Sequence, residues 1–224
     1  MKKKIFLAGA AALLLIVLSG CQQTDIVGKT SITSFNEVLS AIPDKIAADE
    51  MNGGWALTAP DGTARFIWSK DYSSGPPHDV MLEFDSKLFI NAGLDVTKLP
   101  AGMVIGDKIM VGTALGDEKL TYKGEVTPLA SYEQIVNLKR DHIKYHTALD
   151  HYGVDLGDGN MFEWAKDMST NDKDIVFALN PQLFIDAGVD PTKVEGWVFA
   201  KVKVDDKDGK PIEVDKFLKP FNLK

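Results

Sequence analysis

Leu88-Phe89-Ile90-Asn91-Ala92-Gly93-Leu94-Asp95 returns 95 residues later as Leu183-Phe184-Ile185-Asp186-Ala187-Gly188-Val189-Asp190. Working outward, Thr97-Lys98 returns as Thr192-Lys193 at the same spacing. Phe66-Ile67-Trp68-Ser69-Lys70-Asp71 matches Phe162-Glu163-Trp164-Ala165-Lys166-Asp167 at a spacing of 96, and Gly102-Met103-Val104 matches Gly196-Trp197-Val198 at 94. An offset that drifts by single residues is what insertions in turns leave behind. Ser34-Phe35-Asn36-Glu37 and Ser131-Tyr132-Glu133-Gln134, 97 apart, carry the match to the start of each half. Both read as capping boxes, the serine oxygen accepting an N3 amide while Glu37 or Gln134 reaches back to the cap. The expectation is a tandem duplication, 34–128 and 131–224, with too few copies for a solenoid.

Each copy can be read against the other. After the opening helix, Trp55 to Thr58, the turn Pro60-Asp61-Gly62 and Ala64 to Trp68 make a hairpin signal, echoed by Asp158-Gly159 before Phe162 to Trp164. Val80, Leu82 and Phe84 alternate with Met81 and Glu83, as Ile175, Phe177 and Leu179 alternate with Val176 and Ala178, which is the period of a strand. Asp85 and Asn180 stand where an N-cap belongs, and Gly93 and Gly188 where a left-handed stop belongs, so a helix of about two turns follows. Strands at Met103 to Ile105 plus Lys108 to Thr113, and at Trp197 to Val204, close the halves. The fold class is α+β: two units of helix, β-hairpin, strand, short helix and strand, expected to pack as one pseudo-two-fold body with a cleft between halves. Two separate domains are the alternative.

The N-terminus speaks of compartment. Lys2, Lys3 and Lys4 precede an uncharged, mostly apolar run from Ile5 to Leu18, the layout of a secretory leader and shorter than the roughly 20 apolar residues of a membrane-spanning helix. Leu18-Ser19-Gly20-Cys21 then resembles the lipobox of bacterial lipoproteins, and Cys21 is the one cysteine of the chain. The resemblance covers residues 1–21. It implies cleavage after Gly20, diacylglycerol on the Cys21 sulfur, and anchoring at the extracytoplasmic face of a plasma or outer membrane. The chain thus divides into a signal peptide (1–20), a lipidated tether (21–33) and the two repeat units. With that thiol consumed, no disulfide or cysteine-bound metal remains to the folded part, so packing has to stabilise it.

The chain carries 25 Lys and Arg against 32 Asp and Glu, and loss of the leader removes three of those lysines. An acidic body is repelled by an anionic bilayer, and without a basic cluster it has no footprint for nucleic acid.

Four sets of residues are candidates for chemistry. At about 100° per residue, a helix over Tyr132 to Tyr152 places His142 and His146 one turn apart on its apolar side, a spacing that can share a transition metal or haem iron. The plainer reading is two partly buried histidines bonded to backbone or carboxylates. A third ligand would have to come from His78 or a carboxylate, because His151 falls on the polar side, where a cation suits the helix C-terminus. Trp68 and Trp164, matched through the repeat, either line a cleft for a ring-shaped ligand or pack in the core. The turns Asp155 to Asn160 and Asp205 to Gly209 are acidic but lack calcium-loop spacing. No nucleophile elbow, Walker loop, dinucleotide fingerprint or Ser-x-x-Lys pair occurs. The expected role is a non-enzymatic, lipid-tethered binding or accessory domain with a protein or small-molecule partner. A metal- or haem-binding lipoprotein using His142 and His146 is the alternative, and a hydrolase with a histidine general base the third reading.

Overall fold

The period-two segments become strands, and the strands form two sheets. The computed structural model describes residues 16–18, 30–41, 43–50, 53–70, 79–115, 126–138, 140–146, 150–167, 173–205 and 210–223. The first sheet runs, in spatial order, β2 (Ile46–Asp49), β3 (Gly54–Thr58), β4 (Ala64–Ser69), β5 (Val80–Asp85), β7 (Lys108–Thr113) and β6 (Val104–Ile105), every pair antiparallel. The second runs β8 (Ile143–His146), β9 (His151–Asp155), β10 (Met161–Ala165), β11 (Ile175–Leu179), β13 (Pro211–Phe221) and β12 (Val198–Asp205), again antiparallel. The order of strands along the chain is the same in both. Beyond β12 a further short strand, β1 (Ile16–Leu18), lies parallel to it, Ile16 beside Val202.

Helices are few: α1 (Ser31–Ala41), α2 (Ser86–Asn91), α3 (Pro128–Leu138) and α4 (Gln182–Asp186). The short α2 and α4 follow β5 and β11 and are stopped by Gly93 and Gly188, whose φ values of +106° and +104° suit glycine alone. Asn180 accepts the amide of Gln182 at 3.1 Å, as a cap should. Asp85 makes no side-chain cap and spends its carboxylate on Lys108 instead.

The opening helices begin one turn before the expected serines. Thr30 and Thr127 are the residues whose hydroxyls accept first-turn amides, from Thr33 at 3.2 Å and Ala130 at 3.1 Å. Residues 31–33 therefore belong to α1 and not to the tether. Ser34 and Ser131, both fully buried, donate elsewhere: Ser34 Oγ to the Ala165 carbonyl at 2.8 Å, and Ser131 Oγ to the Ser69 carbonyl at 2.5 Å. Each helix is thus pinned to the sheet of the opposite half, and the two helices lie against each other with Phe35 stacked on Tyr132, centroids 4.0 Å apart.

The long helix expected over Tyr132 to Tyr152 is not formed. After Leu138 the chain makes a 3-10 turn, Arg140–His142, then the hairpin β8–β9. Ile143-Lys144-Tyr145-His146 satisfies helical and strand periods alike, and Asp150 closes the turn with φ +52°, which ends any helix. The first half does the same with Pro43–Lys45 and β2.

One hydrophobic core spans both halves. Inner-face residues of the two sheets meet in it, Phe66 stacking on Phe162 with centroids 3.9 Å and planes 2° apart, and the short helices add Phe89 of α2 meeting Phe184 of α4 at 5.0 Å. Aromatic rings therefore fill the space between halves where a cleft was expected. The sheets differ at their ends: β12 and β13 pair from Val198 with Leu218 out to Asp205 with Pro211, whereas β6 and β7 share two pairs.

Candidate functional site

The polar residues most deeply enclosed in the second sheet are gathered at one corner of its outer face. His146 and His151 are cross-strand partners that close the β8–β9 hairpin. Glu163, on β10, stands opposite Gly153 of β9. Alternation along the strands puts all three side chains on the same face, away from the aromatic core. Gly153 makes the grouping possible. A Cβ there would lie 3.3 Å from Glu163 Cγ and 2.7 Å from Met161 Cε, so the missing side chain opens a lane by which Glu163 crosses β9. Its Oε2 ends 3.3 Å from His146 Nδ1. His146, His151 and Glu163 are 5%, 2% and 2% exposed.

Burial pushes the Glu163 carboxyl up, but His146, His151 and Lys216 together outweigh it and hold the group below the usual carboxylate range. Lys216, on β13, is itself pulled below the ordinary lysine value by burial, with Glu163 and Asp155 opposing. Its ammonium donates to the Gly159 carbonyl. The first sheet holds no such cluster at the matching place. Ile67 stands where Glu163 does and packs with Ala56, Met81 and Met110. Charge there moves one row along, where Arg65 grips Glu83 at 2.7 and 3.0 Å with Asp49 at 3.7 Å.

The residues singled out from sequence fall as follows. His142 and His146 share no helix face: His142 lies on the 3-10 turn, half-buried, its Nδ1 3.2 Å from the Asp155 carbonyl, and His146 faces Glu163. His142 thus meets a backbone carbonyl and His146 a carboxylate. The helical spacing that suggested a metal or haem is gone, and among the described residues no three His, Cys, Asp or Glu side chains are grouped to hold a metal ion. His151, expected exposed at a helix end, is enclosed beside His146 because its segment is a strand.

Trp68 and Trp164 are core residues with no exposed surface, so neither can stack on a ligand. The Trp68 indole donates to the Pro128 carbonyl at 3.2 Å, and the ring of Trp164 meets Phe35 at 5.3 Å. Trp197 is buried as well, with the Lys219 ammonium 5.8 Å from its ring centre. The acidic turn Asp155 to Asn160 spends its polar groups internally, Asp155 accepting the Gly157 amide at 2.9 Å. Its partner turn lies largely outside the described residues, as do His78 and Cys21.

Glu163 and Gly153 went unnoticed in the sequence. One signal was there: in the otherwise apolar match of Phe66-Ile67-Trp68 to Phe162-Glu163-Trp164, the middle residue changes from isoleucine to glutamate. The His146–Glu163 pair supplies a histidine with a carboxylate orienter, as a general base needs, but both groups are closed from solvent and therefore from substrate. Comparison with protein-family models, curated proteins and solved structures finds no match to this chain.

Proposed function

We propose that this protein is a lipid-tethered, extracytoplasmic accessory or binding domain without catalytic activity of its own. The observation that carries the reading is Leu18-Ser19-Gly20-Cys21, with the only cysteine of the chain at the lipid-accepting position behind a basic, then apolar leader. From Cys21 to the first helical residue, Ser31, is a tether of roughly ten residues, reaching at most ~35 Å. Two or three acyl chains on Cys21 hold a protein stably, at ~0.8 kcal/mol per buried CH₂, where one chain is marginal. No described helix is long and apolar enough to cross a membrane. Cleavage before Cys21 also removes β1, which leaves β12 as the sheet edge, where Lys201 and Lys203 are the kind of charges that discourage strand-to-strand aggregation.

The body on this tether is, in our reading, a tandem duplication whose units open at α1 and at α3, each one turn earlier than Ser34 and Ser131, packed about a pseudo-two-fold axis. The common strand order and the reciprocal pairs Ser34 to Ala165 and Ser131 to Ser69 support it. Because aromatic rings fill the space between halves, a partner is met by outer faces and edges. The test is fractionation of cells expressing the parent and Cys21→Ser. The reading expects the parent with membranes and the variant unprocessed, without lipid. Equal distribution of the two, with no difference in size, overturns it.

A further inference from the structure

We infer that the outer edge of β12 is a strand-accepting site, which in the mature protein takes an extended apolar segment of a partner protein, laid parallel to β12. The inference rests on the reading above that the leader is cut off before Cys21, because in the uncut chain the leader itself holds this edge. Ile16 pairs with Val202, Val17 with Lys203 and Leu18 with Val204. The chain's own leader thus shows what the edge accepts: a strand that is apolar, extended and parallel.

This edge is built differently from the others. Among the described residues the two sheets end in β2, β6 and β8, of four, two and four residues, and in β12, of eight, once β1 is gone. Short edge strands protect against stray pairing because each offers few free backbone groups. β12 lacks that protection. β13 holds it in register from Val198 to Asp205, so its outer row of amides and carbonyls is fixed before a partner arrives. The matching strand of the first half, β6, shares only two pairs with β7.

Side chains decide which strand fits. Along β12, Ala200, Val202 and Val204 alternate with Phe199, Lys201 and Lys203, so each face of the edge has its own character. On the outer face the first three continue an apolar cluster with Val176, Ala178 and Leu218, away from the aromatic core. Ile16 and Leu18 lengthen that row by register. Val202, beside β1, is fully buried, whereas Val198, four residues before it, is exposed. The other face bears Lys203 opposite Val17, and Lys201 paired with Asp215 at 3.2 Å. A fitting segment is therefore apolar at two alternate positions and neutral or acidic between them. A second copy of β12 fits poorly: antiparallel about Val202, it would set Lys201 against Lys203 of the other chain, and like charges directly opposite destabilise a pair.

The probe is a leader peptide, residues 14–20 with a neutral solubilising tail, added to the chain from position 21 carrying Cys21→Ser so that no lipid competes. Binding is followed by NMR of the backbone amides. The expected result is saturable one-to-one binding, with shifts centred on Val198 to Asp205 and none in β6. Two N-methylated peptides, one blocked at Ile16 and Leu18 and the other at Val17, separate strand addition from hydrophobic adhesion. Alternate residues aim their backbone groups to opposite sides, so one peptide should lose about tenfold in affinity and the other little. On the parent, a Val17→Glu peptide should bind about twofold to fivefold tighter than a Val17→Lys peptide, and Lys203→Glu should reverse that order. No saturable binding, equal effects of the two methylations, shifts that avoid β12, or dimerisation through β12 in place of peptide uptake would overturn the inference. Each of those outcomes leaves the lipid reading standing, since that reading is tested by the fate of Cys21 in cells.

Discussion

Gly93 and Gly188 face each other back to back: a Cβ on Gly93 would lie 2.7 Å from the Gly188 carbonyl oxygen, and one on Gly188 3.0 Å from that of Gly93. Around them the backbones exchange hydrogen bonds, Asp95 N–H to the Ala187 carbonyl at 2.9 Å and Asp190 N–H to the Ala92 carbonyl at 2.8 Å. The repeated Ala-Gly-x-Asp is therefore both a helix stop and the seam between halves.

Alanine at either glycine combines backbone strain with a steric clash. Gly93→Ala is expected to destabilise by about 2–4 kcal/mol and Gly188→Ala by slightly less, read from denaturant unfolding. Gly106→Ala separates the two causes, since φ is +62° but nothing lies within 4 Å. It should cost about 1 kcal/mol. Equal losses at all three positions would show that crowding at the seam contributes nothing.

Phe66 and Phe162 come from different sheets and stack face to face. Each alanine substitution should cost about 3–5 kcal/mol. The double-mutant cycle should return a coupling of about 0.5–1.5 kcal/mol, as contacting rings do. Additive losses would mean that the rings do not contact in solution.

Lys219 and Asp61, 158 positions apart in sequence, join β13 to the β3–β4 turn, with Nζ 2.5 Å from Oδ2 and the lysine 5% exposed. Asp61→Asn leaves a buried ammonium without its counter-charge and should cost about 1–3 kcal/mol. Lys219→Met in that background should recover most of it. Burial raises the Asp61 carboxyl, but the bonds from Lys219 and Thr63 outweigh this and the group titrates lower folded than unfolded. Its contribution is thus present above about pH 4 and lost as pH falls further, so parent and Asp61→Asn should converge in acid. A constant gap from pH 7 to 3 would contradict this.

The seam was legible from the sequence because its glycines recur with their neighbours. Strands β3 and β4 followed from the turn Pro60-Asp61-Gly62 between them, and β5 and β11 from alternation. The edge strands β2 and β8 were hidden: four residues such as Ile143 to His146 fit either period, and pairing with β9 decided the matter. Pro43 could have decided it earlier. It interrupts the first helix at the place in the chain's first part that Arg140–His142 takes in its second, and the same break there ends α3. The opening serines looked like caps because a cap and a buried hydroxyl have the same residue preference. What distinguishes Ser34 is the Ala165 carbonyl, contributed by a residue 131 positions away. Glu163 was invisible for a similar reason, since its burial depends on the lane over Gly153 and on a histidine from a strand not foreseen.

The most direct measurement of the central proposal is the mass of the N-terminal peptide of protein isolated from membranes. The account predicts a chain beginning at Cys21 whose first residue carries the added mass of diacylglycerol, with or without a further acyl group. An unmodified peptide that begins at Met1, from protein recovered inside the cell, would contradict it.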